Sequence, residues 1–410
     1  MSIVTHRPIL LPKDADMSKW AVIACDQYTT DRTYWDNIER YVGNDASTLH
    51  MVFPEIYLKD NDTEQRIASI NQHMTDYLQN NVFVEKDCYV LTERTIADGR
   101  KRIGLVACVD LEEYEYKRDD SKIRPTEQTI ENRLPIRVHI RQNAPLELPH
   151  ILLLTDDANR SVIFPLYAKR EEFTLLYDFD LYPNGGHIRG FEVPPEKFNA
   201  EKFDALLSPI IQEKKYGVDA GILFAVGDGN HSMAAAKLHW ESLKKTLSEK
   251  ERKTHPARFA LVEILNIYDD ALDFLPIHRN VFCADPEDFV ARLADELQDR
   301  IACETSSINA VTRKGVRPIL CPTNAAETII CVQNFLEKEM KNGAKIEYVH
   351  ADEKVIEDGK KPGCVGILMP SFPKKELFGY VVKHGKLPKK AFSMGEEKYK
   401  KYYIEGKRIK

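Results

Sequence analysis

Gly221 to Trp240, GILFAVGDGNHSMAAAKLHW, is the stretch whose reading decides the fold. Gly221 to Val226 is a continuous apolar run, the pattern of a buried strand. It breaks at Gly227-Asp228-Gly229-Asn230-His231-Ser232, a polar turn with two glycines, each able to take positive φ without steric cost. Beyond it Met233, Ala236, Trp240 and Leu243 recur at helical spacing, which predicts a helix starting near Ser232. Strand, turn and helix start together aim backbone N–H groups at one spot, and such a spot attracts anions, phosphate above all. Asp228 and His231 stand at its mouth, where they could hold a metal ion or move a proton. The competing reading is a plain turn, with Asp228 capping the helix and His231 a polar surface group.

The chain around this stretch has 410 residues, enough for two or three domains and a sizeable core. Its 43% hydrophobic and 30% charged residues are ordinary for a globular protein. A net charge of −6 gives no general pull toward nucleic acid or anionic membranes. No apolar run is long enough for a membrane span, and none near the start reads as a signal peptide. The eight cysteines (25, 88, 108, 283, 303, 321, 331 and 364) form no C-x-x-C pair. Several, such as Cys108 and Cys331, lie in apolar runs and read as buried reduced thiols. These features predict a cytoplasmic protein without a disulfide framework or structural zinc.

Outward from the centre, AVIACDQYTT at 21–30 reads as a strand giving way to a loop at Asp26, Gln27 and Tyr28. Strand ends are common places for ligand contacts. The favoured reading is an Asp capping the helix that Trp35, Ile38 and Tyr41 mark out. A second helix is expected around 62–81, then paired strands at 88–96 and 102–111 joined at Asp98-Gly99. The polar segment 117–150 contains Glu127, which on local chemistry alone is a solvated carboxylate. ILLLTDDANRSVIFPLY at 151–167 is expected as strand, turn and strand. A second glycine-rich loop follows, with Gly185, Gly186 and Gly190 around His187 and Arg189. It is either a hairpin tip or an anion contact through the planar fork of Arg189. Pro276-Ile277-His278-Arg279 is a compact cationic corner, or a surface accident. Helix-like and strand-like stretches alternate over 285–350, and VGILMP at 365–370 reads as another buried strand. The lysine- and tyrosine-rich tail is expected to be a solvated helix whose lysines could reach a phosphate. Soft boundaries divide the chain into an N-terminal α/β region (1–115), a central region with the turn (116–284) and a C-terminal α/β region (285–410). The fold class is α+β, mixed sheets with flanking helices in two to three subdomains.

Several of these segments together resemble the widespread prokaryotic family known as domain of unknown function 1015. Its landmarks are matched by Asp228-Gly229-Asn230-His231, by Pro276-Ile277-His278-Arg279, by Leu387 to Gly395, by Tyr403-Ile404-Glu405 and by Glu127-Gln128-Thr129. That family is distantly similar to free-serine kinases with a ParB/sulfiredoxin-like fold. The resemblance implies such a core in the central region. It also implies phosphoryl transfer to a small hydroxyl substrate such as free serine or phosphoserine, with ATP or ADP at the turn. Asp228 would bind Mg²⁺ or orient the acceptor hydroxyl, His231 would serve a transferring oxygen or act as acid/base, and Glu127 would be general base. Gly227, Gly229, Asn230 and Ser232 would line the phosphate, with Gly186, His187, Arg189, His278 and Arg279 as further contacts. The chain departs at one point, since Ser232 stands where an arginine is usual; Arg189 or Arg279 is expected to supply that charge. Two rival readings keep the loop and change the job: a phosphatase or nucleotide hydrolase with water as acceptor, and a non-catalytic nucleotide or anion sensor. The expected partner is a small molecule, with no nucleic acid and no membrane; a homodimer is one option for assembly. A cysteine-based reductase is disfavoured, because none of residues 228–232 is a thiol.

Overall fold

The structure is a computed structural model that describes residues 2–301 and 304–410. Cys303, one of the cysteines expected to be reduced, lies outside the described residues. The chain divides into two units, one running up to Leu272 and taken up again at Glu397–Lys410, the other Asp273–Glu396. This division differs from the three regions expected, because strands from 1–115 and from 116–284 hydrogen-bond into one sheet.

The first unit is built on ten strands: β1 (Val4–Thr5), β2 (Arg7–Pro12), β3 (Phe83–Thr95), β4 (Lys101–Asp110), β5 (Ile123–Pro125), β6 (Leu152–Thr155), β7 (Thr174–Asp180), β8 (His187–Val193), β9 (Phe224–Asp228) and β10 (Phe259–Asn266). Their order is β5-β9-β6-β10-β4-β3-β8-β7, with β1 beside β4 and β2 beside β3. Two of the pairings, β5 with β9 and β6 with β10, are parallel, so the sheet is mixed. The β3–β4 hairpin turns at Asp98-Gly99 as expected, with Gly99 at φ +82°. The helices of this unit include α1 (Arg32–Val42), α2 (Thr63–Gln79), α3 (Leu134–Asn143) and α4 (Asn230–Leu243). Phe224, Ala225 and Val226 of β9 are fully buried, as is the Met233, Ala234 and Trp240 face of α4, against which α3 packs. Small alanines on that face let the helix come close to its neighbours.

Four local expectations are corrected. The segment after Asp156-Asp157 holds a short helix, Phe164–Ala168, instead of a second strand, with a proline in its first turn where the missing N–H costs nothing. The cap of α1 is Asp31, which accepts from Tyr34 N at 3.0 Å, so Asp26 is released for another partner. Gly227 is not part of the turn. It lies in β9, where the register against β6 slips between Val226 and Asp228.

The tail is the fourth and largest correction. It is no solvated helix, for Tyr402-Tyr403 pairs with Val22-Ile23 and Lys407-Arg408 with Leu146-Glu147. Lys400, Lys401, Tyr402, Tyr403 and Lys407 are all buried. Burial of lysines is tolerable only beside anions. Asp228, Glu263, Glu405 and Glu147 supply them. Arg94 of β3 holds the same segment through the carbonyls of Lys398, Tyr399 and Lys400.

The second unit carries an antiparallel sheet of β11 (His278–Phe282), β12 (Thr305–Thr312), β13 (Gly315–Pro322), β14 (Lys345–Val349) and β15 (Cys364–Leu368), in the order β13-β12-β15-β11-β14. Its helices include α5 (Pro286–Gln298) and α6 (Ala325–Lys341), whose apolar stripes bury Phe289, Leu293, Ile329 and Leu336. The molecule is thus α+β with a large mixed sheet. Among the described residues, no helix is long and apolar enough to cross a membrane.

Candidate active site

The turn that opens α4 is made by one residue in the left-handed region, Gly229, at φ +79°. A Cβ there would also meet Ile151 Cα at 3.0 Å, so the position requires glycine twice over. Gly229 offers no side-chain oxygen to the first-turn amides of α4. Asp228 does not cap them either. Its Oδ1 accepts from Gly229 N at 2.9 Å, and its Oδ2 accepts from Lys400 Nζ at 3.0 Å. Lys400 is 8% exposed and Asp228 21%, so this ion pair is shielded from solvent on the lysine side.

Parallel pairing of β5 with β9 ends both strands at the same edge, with Pro125 opposite Val226. Thr126 Oγ1 then donates to Val226 O at 2.7 Å. Glu127 is the next residue, so topology delivers it, half-buried, to the end of the sheet that carries Asp228. Three residues on, Ile130 N–H donates to His231 Nε2 at 3.1 Å. An Nε2 that accepts places the proton of a neutral imidazole on Nδ1. The Oδ1 of Asn230 and the Oγ1 of Thr129 lie buried beside this junction without hydrogen-bond partners.

A second group of side chains joins the turn through Ser232, whose Oγ lies 3.4 Å from His150 Nε2. The same Nε2 is 3.3 Å from Asp26 Oδ2. On the ring's far side, His150 Nδ1 is 2.7 Å from Tyr403 Oη. That hydroxyl spends its one proton on Cys25 Sγ at 3.1 Å and receives Cys25 N–H at 3.2 Å, so His150 Nδ1 is the donor in their contact. A proton on each nitrogen of His150 would face Tyr403 and Asp26. Burial opposes a charge on the ring, but Asp26 and then Asp228 raise the pKa of His150 above its ordinary value. Burial likewise opposes ionisation of Asp26, and His150 overcomes it, holding the carboxyl well below the usual range. Burial pushes the Cys25 thiol up to about 11, so it is a neutral group here and no nucleophile.

The structure thus brings together Asp228, Gly229, Asn230, His231, Ser232 and, by topology, the segment of Glu127. The second glycine loop reaches the tail through Gly185, whose carbonyl accepts from Arg94, but its charged side chains turn elsewhere. Arg189 donates from Nε and Nη2 to Glu93 Oε1 at 3.0 and 2.7 Å. Neighbouring residues of a strand point to opposite faces, so Glu93 and Arg189 lie across the sheet from Arg94, which meets the tail beside Lys400. His187 is held between Asp178 and Asp180, both at 2.7 Å. Gly186 sits at φ +83° in the tip of the β7–β8 hairpin, where a Cβ would strike Thr95 O at 2.3 Å. That is a backbone reason for the glycine. The Pro-x-His-Arg corner is buried in the second unit. Arg279 lies over the Tyr348 ring and donates to Ile277 O and, at 2.9 Å, to Lys390 O. His278 accepts from Met369 N at 2.9 Å and meets Asp352 at 2.7 Å.

Four members of the site escaped the sequence reading. Asp26 was assigned to a cap. His150 follows a proline in a polar segment without periodic signal. Lys400 and Tyr403 sat in a run read as solvated helix, although Tyr403 belongs to one of the quoted landmarks. As for magnesium, the outer oxygen of Asp228 is taken by Lys400. Among the described residues, no group of three or more His, Cys, Asp or Glu is placed to hold a metal ion. A magnesium ion here would rest mainly on the phosphates it accompanies, with Asp228 as the nearby carboxylate.

The family described as "Protein of unknown function (DUF1015)" matches residues 7–382. No curated protein matches the chain. Solved structures similar to it include a conserved hypothetical protein from Pyrococcus furiosus, at 14% identity over 71% of this chain and 90% of that one, with a TM-score of 0.35. A free serine kinase in complex with AMP matches at 14% identity over 74% and 91%, TM-score 0.39. SbnI with C-terminal truncation from Staphylococcus aureus matches at 10% identity over 71% and 83%, TM-score 0.36. Likenesses this distant decide neither chemistry nor substrate.

Proposed function

We propose that this chain, which belongs to the DUF1015 family, is a phosphotransferase that moves the terminal phosphoryl group of a nucleoside triphosphate to the hydroxyl of a small substrate. The observation that carries the reading is the Asp228–Lys400 pair at an uncapped helix start, with His150 one side chain away. Phosphoryl transfer asks the protein mainly for alignment and charge compensation. Amides of the first turn of α4 meet the phosphate oxygens, and Lys400 gives the local cation that Arg189 or Arg279 was expected to give. Ser232, short and hydroxylic, leaves room where the resemblance has an arginine.

In the step itself, the acceptor oxygen attacks the terminal phosphorus and forms the new P–O bond. The bond from that phosphorus to the bridging oxygen breaks, and its electron pair leaves with the nucleoside diphosphate. The hydroxyl proton passes to the Glu127 carboxylate. His231 donates Nδ1–H to an oxygen of the group in flight. Asp228 orients the acceptor while Lys400 holds its outer oxygen in place. A magnesium ion that arrives on the nucleotide is part of the substrate, and no step is routed through it. The reading takes the sheet around β9 as a ParB/sulfiredoxin-like core. Free serine and phosphoserine are the first compounds to try. His187 and Arg189, held by Asp178, Asp180 and Glu93, have no part in it.

The test is incubation with magnesium ATP and serine, followed by phosphorus NMR of the products. A new phosphoester that Asp228→Asn no longer makes supports the proposal. Inorganic phosphate alone, with or without acceptor, makes the protein a hydrolase. Saturable nucleotide binding with no turnover over hours makes it a sensor.

A further inference from the structure

The first unit contains a cavity of about 150 Å³ that the phosphate chemistry leaves unused. Its walls are mostly apolar, formed among others by Met51, Phe53, Met74, Ile140, Leu146 and Leu148. The charged groups that line it are paired with each other, Arg137 with Glu55 and Arg141 with Glu147. At one end stand Ser232, His150, Cys25 and Tyr403. Ser232 belongs both to this lining and to the turn that follows Asp228, so a molecule seated in the cavity presents its polar end to the phosphate site.

From this juxtaposition we infer that the cavity seats an alcohol with a compact apolar body, of single-ring or branched-alkyl size, its hydroxyl directed at Ser232 and His150. As the identity of the acceptor, the inference rests on the phosphotransferase reading; as a binding site, it stands on the cavity alone. Size is set by volume, since an engineered apolar cavity of about 150 Å³ in another protein takes up benzene. Polarity is set by the walls. The ammonium and carboxylate of serine would have to break the Arg137–Glu55 or Arg141–Glu147 pair or else lie against Met, Leu and Ile side chains, and either course disfavours a charged guest. A methylene added to the alcohol gains about fourfold in affinity until the cavity is full.

The experiment is calorimetric titration of the full chain with four probes: serine, 1-butanol, benzyl alcohol and 2-naphthalenemethanol. The expected order is benzyl alcohol tightest, butanol weaker, and serine and the two-ring alcohol undetected. Ile140→Phe and Leu58→Trp, which fill the cavity from its half-buried side, should each remove benzyl alcohol binding while the melting temperature stays within a few degrees of wild type. Serine binding more tightly than benzyl alcohol overturns the inference. So does benzyl alcohol binding that both cavity-filling variants leave intact. The two proposals fail separately. Phosphorylation of serine with benzyl alcohol inert sinks this one alone, whereas cavity-dependent binding of benzyl alcohol without transfer from ATP upholds the site and sinks the phosphotransferase.

Discussion

Lys400 Nζ donates to Asp228 Oδ2 at 3.0 Å across 172 residues of sequence, and in doing so the last buried segment of the chain becomes part of the glycine turn. Lys400→Met should cut turnover by about two to three orders of magnitude, the usual loss for one positioned electrostatic group. Its effect on stability should fall between the ~1 kcal/mol of an exposed pair and the ~3–5 kcal/mol of a buried one. Lys400→Arg, which keeps the charge, should recover part of the rate. Steady-state kinetics beside urea denaturation separates the two effects.

Asp228→Asn and His231→Ala should each lower turnover by about two to three orders of magnitude and leave far-UV circular dichroism unchanged. Glu127→Gln should lower kcat while leaving nucleotide binding intact, because the base acts on the acceptor. Near-normal rates in these variants would end the catalytic assignment.

The Asp26–His150 pair makes stability depend on pH. His150 has a raised pKa in the fold, so its contribution is complete below the unfolded value of about 6.5 and is lost as pH rises through the folded one. Asp26 has a lowered pKa, so its contribution is complete above about 3.9 and is lost as pH falls through its folded value. The melting temperature of wild type should therefore exceed that of His150→Gln most between about pH 4 and 6.5, with the gap narrowing on the alkaline side. A gap that widens above pH 7 would contradict the raised pKa of His150.

Deeper in the same unit, Lys401 Nζ lies 2.9 Å from Glu263 and 3.2 Å from Glu405, all three buried. Burial opposes the charge on Glu263, yet Lys401 and then Arg102 hold its pKa at about 2. Lys401→Met strands two buried carboxylates and should cost about 3–5 kcal/mol in urea denaturation. Adding Glu263→Gln should restore part of the loss, since one stranded charge is then gone. Additive losses would show that the three groups do not act as a unit.

What could be read from the chain follows the range of the forces involved. The run into β9, the turn at Gly229 and the helix after it were legible because near neighbours settle them: apolar burial, one positive φ, and helical spacing. The β3–β4 hairpin was legible for the same reason, Asp98-Gly99 being a local turn signal. The resemblance added the place of Glu127, which local chemistry treats as a solvated acid. Misreadings cluster where a local signal had a distant competitor. Asp26 stood at a helix entrance but lost the cap to Asp31 and found His150, and the tail had the composition of a solvated helix but met strands and carboxylates.

By itself, then, the sequence determined a strand, a left-handed glycine and a helix with Asp228 and His231 at their junction, since these depend on dihedral preference and periodicity within some twenty residues. Tertiary structure alone decided that Lys400, His150 and Asp26 gather there while Arg189 faces away. A buried charge is settled by whichever opposite charge the topology places within hydrogen-bond reach, and no spacing along the chain encodes that distance.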